Sequence, residues 1–199
     1  SSTPQTASTT LTGTVVADTG TASLATTTSV TGDSSGYTIT SYYQLNGGTL
    51  VQHPLNGSPI TASPGTSVTW SYVLSVNAGY YAVTPLSNST ITNNPSTITS
   101  NSNQTSASTI TGQVALLNLI TTSVRESSEN AACNNNTVAT SMWITGSDQT
   151  PTVGEYMYAT NTRTVAQTGA YKSNSPNNNY SIVIGSQGLI TDYEECPEE

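Results

Sequence analysis

Apolar residues recur at every second position through "SVTWSYVLSV" (67–76), where Val68, Trp70, Tyr72 and Leu74 alternate with Thr69, Ser71, Val73 and Ser75. A period of two puts one set on each side of an extended chain, so the run predicts a strand with one buried face. Similar β-like runs lie at 9–17, 23–32, 37–45, 80–86 and 108–120. "NGG" at 46–48, between "YTITSYYQL" and "TLVQH", predicts a hairpin. "NAG" at 77–79 predicts a turn, and the polar stretch 87–108, with "NNPS" and "NSNQTSAS", reads as loop. Strands spaced by about 8–12 residues with polar turns are the mark of a β-sandwich. The expectation is an all-β chain: a flexible arm at 1–10, then an Ig-like β-sandwich over 11–120. The Cys–Trp–Cys core of antibody domains is missing from it.

A second unit is expected over 121–199. The charge cluster Arg125, Glu126 and Glu129 in "TTSVRESSENAAC" marks the joint. Short strands are expected at 137–146, 155–160, 163–169, 180–185 and 188–196, with turns at "GSDQTPTVG" and "KSNSPNNN". A β module this small has a weak core and usually needs a staple. Cys133 and Cys196, the only cysteines, bracket it. As partners they would pin the last strand to the first, with Cα atoms about 4.4–6.8 Å apart. Closing so long a loop contributes about 4 kcal/mol in the chain-entropy model. The alternative is two separate free thiols.

Composition narrows the function. Ser and Thr supply 67 of 199 residues, charged residues only 7%, and there is no Phe. Such a chain presents a hydroxyl-covered, weakly charged exterior. The net charge is −8, and the basic residues are Arg125, Arg163 and Lys172 alone. Neutralising phosphates takes Lys and Arg, so nucleic acid and anionic membrane surfaces are excluded as partners. The longest apolar run, "VALLNLI" (114–120), has strand length and falls short of the ~18 residues of a membrane span, so no membrane insertion is expected. The opening "SSTPQTASTT", without Met or a basic segment, reads as a processed or trimmed start.

Candidate chemistry is sparse. His53 is the only histidine and no Gly-x-Ser-x-Gly elbow accompanies it, so no catalytic residue is assigned. Two distant cysteines and one histidine make no metal pattern, and no cofactor is expected. The acidic end, with Asp192, Glu194, Glu195, Glu198 and Glu199, lacks Asp-x-Asp spacing and reads as a solvated tail. Tyr42, Tyr43, Tyr80, Tyr81, Tyr156 and Tyr158 are glycan-contact candidates, because a phenol ring offers an apolar face beside a polar tip. The competing reading is that tyrosine fills the core of a chain without Phe. Asn88, Asn103, Asn135 and Asn179 head Asn-x-Ser/Thr sequons and are glycosylation candidates in a secretory host.

A Cys ahead of a polar strand, then "PTVGEYMYAT", then "NNNYSIVIGSQGLITDYEEC" make up the segment from about 130 to 196. This segment resembles a small Cys-bracketed module of structural proteins in phages infecting Bacteroidota, found also in secreted surface proteins of those bacteria. The preceding "SVTWSYVLSVNAGYYAVTPLSNSTI" is similar to Ig-like modules that accompany it. One departure is the added "PEE" after Cys196. The resemblance implies a non-enzymatic structural protein on a virion surface: an accessory capsid protein, head fibre or tail component. Its partners would be copies of itself, other virion proteins and a host surface glycan. A secreted bacterial adhesin or filament subunit and a glycan-binding module are the alternatives.

Overall fold

The computed structural model describes residues 18–137, 140–175 and 179–197. The expected arm at 1–10 and strand at 9–17 lie outside the described residues. The chain runs through β1 (Gly20–Thr31), β2 (Tyr37–Leu45), β3 (Val51–His53), β4 (Ile60–Ala62), β5 (Ser67–Val76), β6 (Tyr80–Asn88), β7 (Ser96–Thr97), β8 (Asn103–Leu116) and β9 (Asn118–Thr122). It continues with α1 (Glu129–Cys133), β10 (Thr140–Ile144), β11 (Met157–Tyr158), β12 (Gly169–Ser175), β13 (Tyr180–Ile184) and β14 (Ile190–Glu195). The described strands form sheets ordered β4-β1-β8-β6, β3-β2-β5-β7 and β11-β10-β9-β12-β13-β14. The fold is all-β, sandwich-like first and a Cys-bracketed β module second.

In the sandwich, alternation decides which face is buried. Val68 and Trp70 of β5 are buried while Val73 is exposed, as the period of two requires. They pack with Ala22 and Leu24 of β1, Ile98, and half-buried Tyr43, Tyr72 and Ile60. β1 and β8 pair in parallel from Thr21↔Asn103 to Thr31↔Gln113, which sets two strands far apart in sequence side by side at the centre of an open sheet. The "NSNQTSAS" stretch, expected as loop, supplies the first half of β8. Its inward residues are serines rather than aliphatics. Ser106 Oγ donates to Asn93 O (2.9 Å) and Ser108 Oγ to Ser89 O (3.0 Å), so their burial leaves no hydroxyl proton without an acceptor.

The change of sheet comes at buried Leu117, so the division expected at 120/121 falls inside β9, a strand of the six-stranded sheet. The charge cluster expected at the joint is bonded to the sheet instead. Glu126 and Ala170 exchange backbone bonds (2.7 and 3.0 Å), and Arg125 Nε donates to Thr168 O (2.7 Å). The strand expected at 163–169 lies at Gly169–Ser175, in part of the expected "KSNSPNNN" turn, because Ala170, Tyr171 and Ser173 are the buried residues. The core of this sheet is aliphatic: Ile120, Met142, Ile144, Met157, Ile182, Ile184 and Ile190 surround Tyr171.

Cys133 and Cys196 form a disulfide, with Cα atoms 5.5 Å apart. It joins α1, not the first strand, to the end of β14. β9 precedes Cys133, and Ser128, whose Oγ accepts from Ala131 N–H (3.3 Å), starts a helical turn that carries the cysteine. Asn179 secures the other end: its carbonyl accepts from Cys196 N–H (2.7 Å) and its Nδ2 donates to Cys196 O (3.2 Å).

Sheet edges are blunted throughout. β3 and β4 have three residues each, and β7 and β11 two. The longer edge β6 breaks register between Ala82 and Thr84 and again before Ser87. Edge β14 carries Asp192, Glu194 and Glu195. Short, bulged or charged edges resist strand addition by a neighbour.

Candidate functional site

The two units meet at the turn between β5 and β6. Gly79 there has φ +82°, a left-handed conformation that glycine adopts without a Cβ clash. Its carbonyl accepts from Leu117 N–H (2.8 Å) and its N–H donates to Asn161 O (2.8 Å). Arg163 completes the tie. Its Nη1 donates to Asn77 O (3.0 Å) and Tyr80 O (2.7 Å), and its Nη2 to Val76 O (3.1 Å). Arg163 itself has φ +68°, strain that a non-glycine residue keeps only where surrounding bonds hold it.

Beside this tie a groove of about 630 Å³ opens between the units. One wall comes from β6, with Tyr81, Ala82 and exposed Val83; the other comes from the β10–β11 connection, with Thr145, Gly146, Glu155, Tyr156 and Tyr158. Tyr156 and Tyr158 are two apart, so both project from the face opposite buried Met157. Thr145 fixes the wall: its N–H donates to Tyr156 O (3.0 Å) and its Oγ1 accepts from Tyr156 N–H (2.9 Å). Tyr81 Oη accepts from Gly146 N–H (3.1 Å) across the joint.

Glu155 is the acidic group of the groove. Its Oε2 accepts from Thr152 N–H (3.1 Å), and its carboxylate lies where a Cβ on Gly146 would sit. Burial pushes its carboxyl above the ordinary range; the Thr152 bond pulls down and the Asp148 charge pushes up. Burial likewise raises the Tyr158 phenol, against the nearby Arg163 charge and with added pressure from Tyr156 and Tyr81. Tyr158, Arg163, Tyr156 and Tyr81 therefore share one electrostatic neighbourhood.

Of the six tyrosines expected as glycan contacts, the fold brings Tyr81, Tyr156 and Tyr158 together. Tyr80 sits apart, donating its hydroxyl to Asp33 Oδ2 (2.9 Å). A backbone bond from Ser35, then that hydroxyl, hold the Asp33 carboxyl low, and the same contact raises the Tyr80 phenol. Tyr43 belongs to the sandwich core, its ring centroid 5.8 Å from Trp70 and 6.0 Å from His53. Tyr42, on the opposite face of β2, is half-buried between Gln52 and Ser71 on the neighbouring strands.

The other sequence candidates are built into the framework. His53 is buried, its ring 5.2 Å from Trp70 and its Nε2 2.9 Å from Ser58 O. Asn103 bonds Thr21 and Ser23, Asn135 bonds Glu126 Oε1 (2.6 Å), and Asn179 bonds Cys196, so these sequon amides have internal partners. Asn88 is exposed, as Asn103 is, and its Nδ2 donates to the adjacent Ser89 carbonyl (2.9 Å). Of the acidic end, Glu198 and Glu199 lie outside the described residues. Among the described residues no helix is long and apolar enough to cross a membrane.

Glu155, Arg163, Val83 and Thr145 escaped the sequence reading. Arg163 carried a faint signal, as one of three basic residues in the chain. Comparison with family models, curated proteins and solved structures finds no match to this chain.

Proposed function

We propose that the chain is a non-enzymatic structural protein displayed on a phage virion surface, as an accessory capsid protein, head fibre or tail component. The observation that carries the reading is where the reactive side chains go. His53 is closed edge-on into a ring cluster with Tyr43 and Trp70, the Arg163 terminal nitrogens donate to three carbonyls, and both cysteines bond each other. These groups hold shape rather than face a reacting atom. The resemblance of the Cys-bracketed segment to virion modules points the same way. Blunted edges direct contacts with copies of itself to sheet faces, where Leu116 and Leu119 are exposed.

The disulfide favours a second reading, a secreted adhesin, since such bonds form readily on export. Quantitative mass spectrometry of purified particles separates the two. Stoichiometric copies in particles support display on a virion. Absence from particles, with the chain on the bacterial surface or in the medium, replaces that reading with the adhesin.

A further inference from the structure

The inter-unit groove holds more chemistry than a mechanical joint requires. Its volume of about 630 Å³ lies in the range of roughly 300–1,000 Å³ typical of small-ligand sites. Three phenol rings line it, and Tyr156 is 41% exposed. Tyr81 Oη already accepts from Gly146 N–H, which leaves its own proton to donate. Glu155 supplies acceptor oxygens at the opposite wall.

Charge then selects among ligands. Glu155 and Arg163 leave the groove formally neutral. The terminal nitrogens of Arg163 already donate to three carbonyls, so the guanidinium is not poised to grip an anion. Glu155, nearby Asp148 and the net charge of −8 oppose an anion further. The Arg163 charge opposes a quaternary ammonium, which three rings and a carboxylate would otherwise suit. A neutral polyol with apolar ring faces meets none of these penalties.

We propose that the groove binds a neutral saccharide, with Tyr81, Tyr156 and Tyr158 against the apolar faces of its rings and the Glu155 carboxylate accepting from its hydroxyls. This goes beyond display: the chain would grip a glycan at the joint of its two units. Titration of the full chain with neutral oligomers of glucose, galactose, mannose and N-acetylglucosamine, with uronate- and sialate-bearing glycans, and with choline tests it. Binding is expected in the neutral set. Tyr156→Ala should weaken it about tenfold, Tyr156→Phe should restore it, and Tyr42→Ala should leave it unchanged. Resonance perturbations in the unmutated chain should concentrate at 81–83, 145–146 and 155–158, a readout independent of variant folding. Absence of binding across the neutral set, preference for acidic glycans or choline, or perturbations centred elsewhere would each overturn the proposal.

Discussion

The sandwich and the six-stranded sheet both bury hydroxyls, but they differ in how much aliphatic core and what covalent staple accompany them. The sandwich buries Ser41, Ser106 and Ser108, each donating to a backbone carbonyl, and Ser96, whose hydroxyl has no hydrogen-bond partner, with no covalent staple. The six-stranded sheet also buries hydroxyls, at Thr122, Ser123, Thr145, Ser173 and Ser181, but beside a larger set of Ile and Met residues, and it adds a disulfide. A buried hydroxyl contributes little net stability when bonded and costs much when orphaned. Order in the sandwich therefore rests on specific acceptors, such as the Asn93 and Ser89 carbonyls beneath β8. Order in the second unit rests on apolar area and on restricting the unfolded chain.

The largest expected effect comes from removing the staple. Cys133→Ala with Cys196→Ala should lower stability by about 4 kcal/mol in the chain-entropy model. The loss should appear first in the six-stranded sheet. Hydrogen exchange at 180–195 and 118–122 in the double variant is the check. Uniform weakening of sandwich and sheet alike would show that the disulfide does not act locally.

A smaller effect probes the hydroxyl core. Ser108→Ala should cost about 1 kcal/mol, because the Ser89 carbonyl loses one of its two side-chain donors, keeping Asn88 Nδ2. Ile184→Val in the aliphatic core should cost a similar amount, about 1 kcal/mol, from lost methylene packing. Urea unfolding of both variants compares the two materials directly. A serine substitution that raises stability would remove the distinction.

The smallest effect is a dependence of stability on pH. Burial holds the Glu155 carboxyl above its ordinary range, so the folded chain takes up that proton at a higher pH than the unfolded chain. Through this group, folding is favoured as pH falls through the folded value toward the ordinary carboxylate range, and opposed above it. Glu155→Gln should therefore cost no stability at pH 7 and flatten the pH dependence in that window. A clear loss at pH 7, by thermal melting, would mean the ionised carboxylate supports the fold.

The sequence exposed the elements that follow simple periodicity. β5 was legible because Val68, Trp70 and Tyr72 alternate with hydroxyls. The disulfide was legible because two cysteines frame one small unit. The first half of β8 was not, since serines bonded to backbone carbonyls leave no apolar alternation to see. β12 was misplaced for a related reason: adjacent Ala170 and Tyr171 are both buried, and a register shift follows between Ser173 and Ser175. Tyr81, Tyr156 and Tyr158 were visible as tyrosines, but their convergence depends on pairing between distant strands. Arg163 and Glu155 acquire meaning only from carbonyls and glycines far away in sequence.

Arg163 is where the contrast between the two units becomes a single object. Asn tolerates the left-handed backbone at that position, so Arg163→Asn removes the guanidinium without adding strain. Differential scanning calorimetry of the oxidised chain and this variant tests the tie most directly. The unmodified chain should unfold in one transition, and the variant in two, sandwich and six-stranded sheet apart. Two transitions in the unmodified chain, or one unshifted transition in the variant, would contradict the claim that Arg163 joins the units and frames the groove between them.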